Sequence, residues 1–391
     1  MTSQDHLAAI VRPPRKLRVG FLGGAYESAV GRVHRTAIEM DQRFILAAGC
    51  FSRNAATNLA SGLQYGLDES QIFRDLSELI AHARDHLDAI VILTPTNQHH
   101  DQVEQCLGAG IPVICEKALV SSAAHARALK DTVEREGGFL AVTYNYTGYP
   151  MLRELKHLVE AGGLGRLQQI RIEMPQEGFL KVDSEGKPMK PQGWRLQDGF
   201  VPTLSLDLGV HLHMMAKFLT KEHPLEVVAT GRSHGNFPGI TDTVSCLANY
   251  SNGLDCSIWY TKTALGQRNG LKVELYGERG AAIWIQESPE NMMLYSQHGE
   301  KVVFDRASPK AAVANLGRYS RFKAGHPAGF IEAFANYYHD VADALLTHID
   351  KGERYQSPYV FGVDDVLEGI EMLEAMATSA LNKQWVSLRH E

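Results

Sequence analysis

Three residues in this chain could share one piece of chemistry. The apolar run Val113-Ile114-Cys115 ends in a charged pair, Glu116-Lys117. Further on, TLSLDLGVHLHMMAKFL (203–219) reads as a helix with Asp207 and His211 four apart, hence on one face, while His213 points elsewhere. An imidazole exchanges a proton near neutral pH, a carboxylate beside it steadies its charged form, and a lysine holds a reacting oxygen. Each feature alone has a plainer account. A lysine that ends a strand is usually solvated, and an Asp–His pair at this spacing is more often a surface or capping pair. Whether they meet depends on the elements that carry them.

From residue 16 to about 145 the sequence alternates short apolar runs (LRVGFLG, ILAAGCF, AIVILT, PVICEK, FLAVTYN) with helical stretches. Repeated strand–helix units of this kind imply a parallel, doubly wound sheet with right-handed crossovers. The third strand runs into Thr94-Pro95-Thr96-Asn97-Gln98-His99-His100, and the fourth delivers Glu116 and Lys117 to the same carboxyl edge, where such sheets bind ligands. The first strand ends in a glycine turn, Gly20 to Ala25, with Gly23 and Gly24 inside it and Gly31 near the start of a helix. That is the place of the pyrophosphate-binding G-x-G-x-x-G, except that Ala25 takes the middle glycine's position and Tyr26 to Ser28 delay the last one. At the end of strand two, an acidic residue would hold a ribose 2′-OH and select NAD. Ser52-Arg53 stands there instead and suits a 2′-phosphate, so NADP is slightly favoured over NAD, with an exposed helix-flanking arginine as the competing account.

The second half changes character. After a helical stretch at 150–163 come longer alternating strands, among them DTVSCLANYSNGLDCSIWYTKT with a hairpin turn at Ser251-Asn252-Gly253, then KVELYG, AAIWIQ and KVVFDR, and two amphipathic helices close the chain. The expected fold is α/β: an N-terminal Rossmann doubly wound parallel sheet plus a C-terminal α+β domain with a large, mainly antiparallel sheet. The expected division is a loose leader over 1–15, a dinucleotide-binding domain over 16–146, and a substrate-binding and oligomerisation domain over 147–391.

Composition narrows the function. A net charge of −6 leaves no basic excess for nucleic acid. No apolar run approaches the ~20 residues of a membrane span, and no signal-peptide pattern opens the sequence, so a cytoplasmic protein is expected. The five cysteines are odd in number and never spaced C-x-x-C, which points to free buried thiols rather than disulfides or a metal site.

Taken together, the motifs resemble the glucose–fructose oxidoreductase / inositol dehydrogenase (Gfo/Idh/MocA) family of nicotinamide-dependent oxidoreductases. The resemblance runs from about residue 16 to 388. It is carried by the glycine turn, Thr94-Pro95 with His99, Glu116-Lys117, Asn145-Tyr146, the turn from Gly162 to Gly165, and Asp207-x-Gly209-x-His211. It implies that Lys117, Asp207 and His211 form the catalytic group. It also implies that Gly23, Gly24, Ala25, Gly31, Ser52, Arg53, Thr94, Pro95, His99, Glu116, Lys117 and Asn145 face the cofactor, NAD or NADP. Oxidising a secondary alcohol sends hydride to the nicotinamide and the hydroxyl proton to a base. His211 is expected to be that base, oriented by Asp207, with Lys117 holding the oxygen.

Two departures stand out. Ala118 replaces the proline that usually follows the family's Glu-Lys, and since a cis bond before alanine costs ~3 kcal/mol, a trans 117–118 peptide is expected, or a strained cis one if lysine placement demands it. Met214 stands where an acidic residue often follows the histidine. The family acts mostly on sugars, inositols and their derivatives, so a small carbohydrate or polyol is the expected substrate, with Tyr146, Trp194, Arg195 and His326 as candidate contacts beside Lys117 and His211. Residues 176–192 read as a loop over the site. Competing functions are a glycoside-cleaving enzyme that uses NAD transiently through a keto intermediate, and a non-catalytic cofactor sensor. A homodimer or homotetramer through the second sheet is expected, because its outer face needs a cover.

Overall fold

The computed structural model describes residues 15–352 and 357–388. The leader expected over 1–15 lies outside the described residues except for Arg15, whose guanidinium pairs with Asp88 at 2.7 Å. Five strands, β1 (Leu17–Gly23), β2 (Phe44–Cys50), β3 (Ala89–Leu93), β4 (Val113–Glu116) and β5 (Leu140–Thr143), form a parallel sheet in the order β2-β1-β3-β4-β5. Val19, Phe21, Ile90, Val91 and Ile114 are fully covered, as strands buried on both faces must be. Between them run α1 (Ala29–Met40), α2 (Ala55–Gln64), α3 (Leu76–His86), α4 (His99–Gly108) and α5 (Ala123–Glu136). Ser28, Asn54, Asp75 and Ser122 cap α1, α2, α3 and α5 by accepting from first-turn N–H groups. The strand order switches between β1 and β3, which opens a crevice beyond their carboxyl ends.

Helix α6 (Pro150–Glu160) leads to β6 (Leu167–Pro175), and α7 (Val210–Thr220) precedes β7 (Pro224–Arg232), β8 (Thr243–Tyr250) and β9 (Leu254–Thr261). Then come β10 (Lys272–Gly277), β11 (Gly280–Ile285), β12 (Asn291–Ser296), β13 (Lys301–Asp305), α8 (Phe330–Lys351), α9 (Val363–Asn382) and β14 (Val386–Ser387). The nine strands order as β13-β12-β11-β10-β6-β9-β8-β7-β14, antiparallel throughout except for the β6–β9 pair. The expected hairpin joins β8 to β9, with Asn252 at φ 55° and Gly253 at φ 70°, the left-handed region these two residue types tolerate. Cys256, Ile258 and Tyr260 face inward toward the side that α7 and α9 cover, while Leu247 and Val303 on the strands remain exposed. All five cysteines are buried and free. Among the described residues no helix is long and apolar enough to cross a membrane.

Residues 203–219 are not one α-helix, as their periodicity suggests. Ser205–Gly209 form a π turn, with the Val210 N–H reaching the Ser205 carbonyl, and α7 begins only at Val210. The wide turn is clamped to β9, since Ser205 Oγ lies 2.7 Å from Tyr260 Oη. A Cβ on Gly209 would sit 3.0 Å from that same hydroxyl. Helix α8 returns to the first sheet: Tyr338 Oη lies 2.6 Å from His34 Nδ1 on α1, and the Tyr337 hydroxyl donates to the Val142 carbonyl on β5.

Candidate active site

Lys117 leaves the end of β4 and reaches the second half of the chain. Its Nζ donates to the Asp207 carbonyl at 2.8 Å and to Asp207 Oδ1 at 3.1 Å. The Lys117–Ala118 peptide is cis, the second of the two geometries expected. Contacts remote in sequence hold both sides of it: the lysine by Asp207, and the Ala118 carbonyl by His99 Nδ1 at 2.9 Å. His99 Nε2 lies 2.7 Å from the Thr94 carbonyl, so the ring is a buried brace between the β3 and β4 loops rather than a surface facing a ligand. Burial lowers its pKa, although the Thr94 and Ala118 carbonyls oppose that.

Asp207, in the π turn, is caught by three cations. Lys262, immediately after β9, donates to Oδ2 at 2.6 Å, Arg195 pairs with the same oxygen, and Lys117 takes Oδ1. Burial alone would raise this carboxyl, but Lys117, Lys262 and Arg195 hold it well below the ordinary range. The carboxylate therefore does not orient His211 through a hydrogen bond, as helical spacing suggested. The π turn breaks the i, i+4 stacking and the cations claim both oxygens. His211 lies buried among aromatic rings, with Tyr146 4.7 Å away edge-on and Tyr144 at 6.2 Å. Burial, and then Lys117, push its pKa down to about 3, so the imidazole is neutral at physiological pH.

Lys117 and Asp207 line a cleft of about 420 Å³, together with Pro95, Asn97, Trp194 and Phe200. Arg195 stacks on Trp194, its guanidinium carbon 4.3 Å from the ring centre, and Trp194 Nε1 donates to Gln192. Tyr146 is buried, and its hydroxyl accepts from Asn269 at 3.0 Å. Glu116 points inward: its Oε1 accepts from Thr143 and lies 2.9 Å from His34 Nε2. Burial would raise its pKa, but His34 and Lys117 bring it below the ordinary value. His326 is exposed with Phe322 as its ring neighbour, and among the described residues no contact joins it to Lys117 or His211. Lys262 is the residue that motif spacing misses. It shares the even parity of Cys256, Ile258 and Tyr260, and that parity marks it as inward-facing.

The nucleotide side fits a dinucleotide. Gly23 (φ 82°) and Gly24 (φ 68°) adopt the left-handed turn, and Gly23 packs so close to the start of the β3 loop that a Cβ would meet Thr94 N at 2.9 Å. On Gly31 a Cβ would meet the Gly24 carbonyl at 2.1 Å, the close strand–helix approach that the last glycine of the motif permits. The first turn of α1 carries no acidic residue, which leaves its N-terminus open to a phosphate, and Ala25 sits half-buried before it. Thr94 bonds Gln102 at the crevice rim, Ser52 is half-buried at the end of β2, and Arg53 is exposed beside it. Asn145 is buried with its Nδ2 lacking any partner among the described residues, a donor that a ligand amide would satisfy.

A glycine turn at the switch point of a doubly wound sheet and a lysine–aspartate pair at the carboxyl end of β4 are the parts of a nicotinamide-dependent oxidoreductase. Residues 17–144 match the oxidoreductase family with an NAD-binding Rossmann fold, and residues 152–283 match the GFO/IDH/MocA C-terminal domain. The chain belongs to the Gfo/Idh/MocA family. It is 27% identical to an uncharacterized oxidoreductase of Bacillus subtilis, over 96% of this chain and 98% of that one. It is 26% identical to an inositol 2-dehydrogenase of Rhizobium meliloti, over 72% and 80% respectively. The crystal structure of an inositol dehydrogenase homolog complexed with NAD+ from Azotobacter vinelandii superposes with a TM-score of 0.88 at 25% identity, covering 96% of this chain and 98% of that one.

Proposed function

We propose that this protein is a dehydrogenase that moves a hydride between NAD or NADP and a secondary hydroxyl or ketone of a sugar, inositol or sugar derivative. The observation that carries the reading is the Lys117 ammonium, fixed by Asp207 at the ligand edge of the first sheet and lining the cleft. The bound nicotinamide supplies the hydride acceptor or donor. Gly23, Gly24 and the N-terminus of α1 would receive its pyrophosphate, and Asn145 would offer its unpaired amide. Lys117 Nζ donates to the reacting oxygen and stabilises its charge as the carbon–hydrogen bond breaks. His211, neutral and shielded from water, accepts the hydroxyl proton in oxidation and returns it in reduction. Asp207 positions Lys117. Relatives named inositol 2-dehydrogenase and levoglucosan dehydrogenase support a polyol or carbohydrate substrate.

In this reading residues 16–146 bind the cofactor, residues 147–391 bind substrate and self-associate through the outer face of the second sheet, and the protein works in the cytoplasm with Ser52-Arg53 favouring NADP. The test is a screen of sugars, polyols and sugar acids with both cofactors, following reduced-nicotinamide absorbance. Net reduction of free cofactor with an alcohol supports the dehydrogenase. Product formed from a glycoside with no net cofactor change supports the glycoside-cleaving alternative, and cofactor binding with no conversion of any compound supports the sensor.

A further inference from the structure

The ionic group around Asp207 does not balance. Lys117, Lys262 and Arg195 converge on one carboxylate, and the side chains of Lys262 and Asp207 are only 8% and 10% exposed. The neighbouring acids are engaged elsewhere. Glu116 holds His34 and Thr143, Asp198 accepts from the backbones of Thr203 and Thr241, and Asp242 accepts from those of His234 and Gly235. Lys262 and Arg195 each direct a single donor to Asp207 Oδ2. Their other side-chain N–H groups meet no acceptor among the described residues. For Lys262, a buried cation with unmatched donors is unfavourable unless something arrives to match it, and the half-buried Arg195 leaves its spare donors beside it. Trp194 beneath Arg195 and Phe179 beneath Lys262, 5.5 Å from its Nζ, hold the two heads in place and supply no counter-charge.

We infer that Lys262 and Arg195 form a seat for an oxyanion, so that the substrate is a sugar or polyol carrying a carboxylate or phosphate. The inference rests on the dehydrogenase reading for the rest of the molecule the site takes. Lys117 holds the reacting oxygen, and the two cations from the second half of the chain hold the charged substituent. A forked guanidinium and an ammonium together recognise either oxyanion.

The experiment is a set of dissociation constants, by calorimetry on the full chain saturated with NADH, for matched compounds: glucose against gluconate, glucuronate and glucose 6-phosphate, and myo-inositol against its monophosphate. At least one anionic compound is expected to bind roughly 10- to 100-fold tighter than its neutral parent, the worth of one or two charge-assisted hydrogen bonds. The carboxylate and phosphate arms identify which oxyanion the seat takes. Lys262→Met and, independently, the half-buried Arg195→Met are expected to erase that advantage. The advantage should also shrink in high salt for the unaltered protein, a readout that needs no variant to fold. A series in which no anion exceeds its parent, or an advantage that survives both substitutions, overturns the inference. Tighter anion binding without turnover of any compound supports the seat while removing the dehydrogenase reading. Turnover of neutral sugars with no anion preference does the reverse.

Discussion

Lys117 and Lys262 meet on one carboxylate from opposite sheets of the molecule. Lys117 leaves β4 of the parallel sheet for Oδ1 of Asp207, and Lys262 leaves β9 of the antiparallel sheet for Oδ2. Asp207 is therefore the joint between the cofactor half and the substrate half, and the sharpest tests fall on this trio.

Lys117→Met keeps the length of the side chain and removes its charge. Turnover is expected to fall by about 10²- to 10⁴-fold, the usual worth of a group that handles the reacting oxygen. Affinity for NADH, followed by fluorescence, is expected to stay within about 3-fold, because the glycine turn is untouched. Activity within a factor of two of the unaltered protein removes Lys117 from the mechanism.

Asp207→Asn leaves three cations without a counter-ion. A loss of about 3–5 kcal/mol in unfolding free energy is expected, as for a broken buried pair. Removing Lys262 as well, in the Asp207→Asn, Lys262→Met double variant, is expected to recover at least about 1 kcal/mol, a coupling read from urea titrations of all four proteins. Strict additivity rules out the ionic joint.

The pH dependence has a definite sign. His211 is held at about 3 in the folded protein, while an unfolded histidine titrates near ~6.5. Between those values the unfolded chain binds a proton that the folded one refuses. Stability is thus fully present above ~6.5 and declines as pH falls, by at most about 1.4 kcal/mol per unit for this one group. His99, also lowered by burial, adds to the slope. Urea midpoints measured from pH 7 to 4.5 should fall steadily in the unaltered protein and less steeply in His211→Gln. Parallel curves contradict the buried neutral imidazole. Asp207, depressed from the usual carboxylate value, acts in a separate window below ~3.8.

Arg53→Ala tests the choice of cofactor. Arg53 is exposed at the entrance to α2 and makes no ion pair with the described residues, so its removal leaves the fold intact. Affinity for NADP is expected to drop about 10-fold or more, with NAD within about 3-fold. Equal losses for both cofactors exclude a 2′-phosphate contact.

The parallel sheet, the hairpin at 251–253 and the closing helices are legible because strands buried on both faces and amphipathic helices leave strong periodic traces. Lys117 and Asp207 are legible for a related reason: each sits at the end of a strongly patterned element. What escapes the sequence depends on contacts between distant residues. No local pattern separates a π turn from an α-turn, so Asp207 and His211 look paired although three cations take the oxygens of Asp207. The 117–118 bond is held by His99 and Asp207, partners that alanine's local preference cannot register. Lys262 was open to a parity count along β9, whereas His326 sits in an irregular loop where spacing carries no information about direction.

Tyr337, Tyr338 and Phe361 are the last pieces of a sheet whose final strand ends at residue 143. The Phe361 carbonyl receives the Val142 N–H at 2.9 Å along the open edge of β5, and Tyr338 closes the chain of contacts from His34 to Glu116. A polypeptide emerging from the ribosome has made every parallel strand long before it has made these covers. The nucleotide half is thus made before the elements that complete it. A fragment cut at residue 146 would present a bare strand edge and an unsealed Glu116–His34 pair to water.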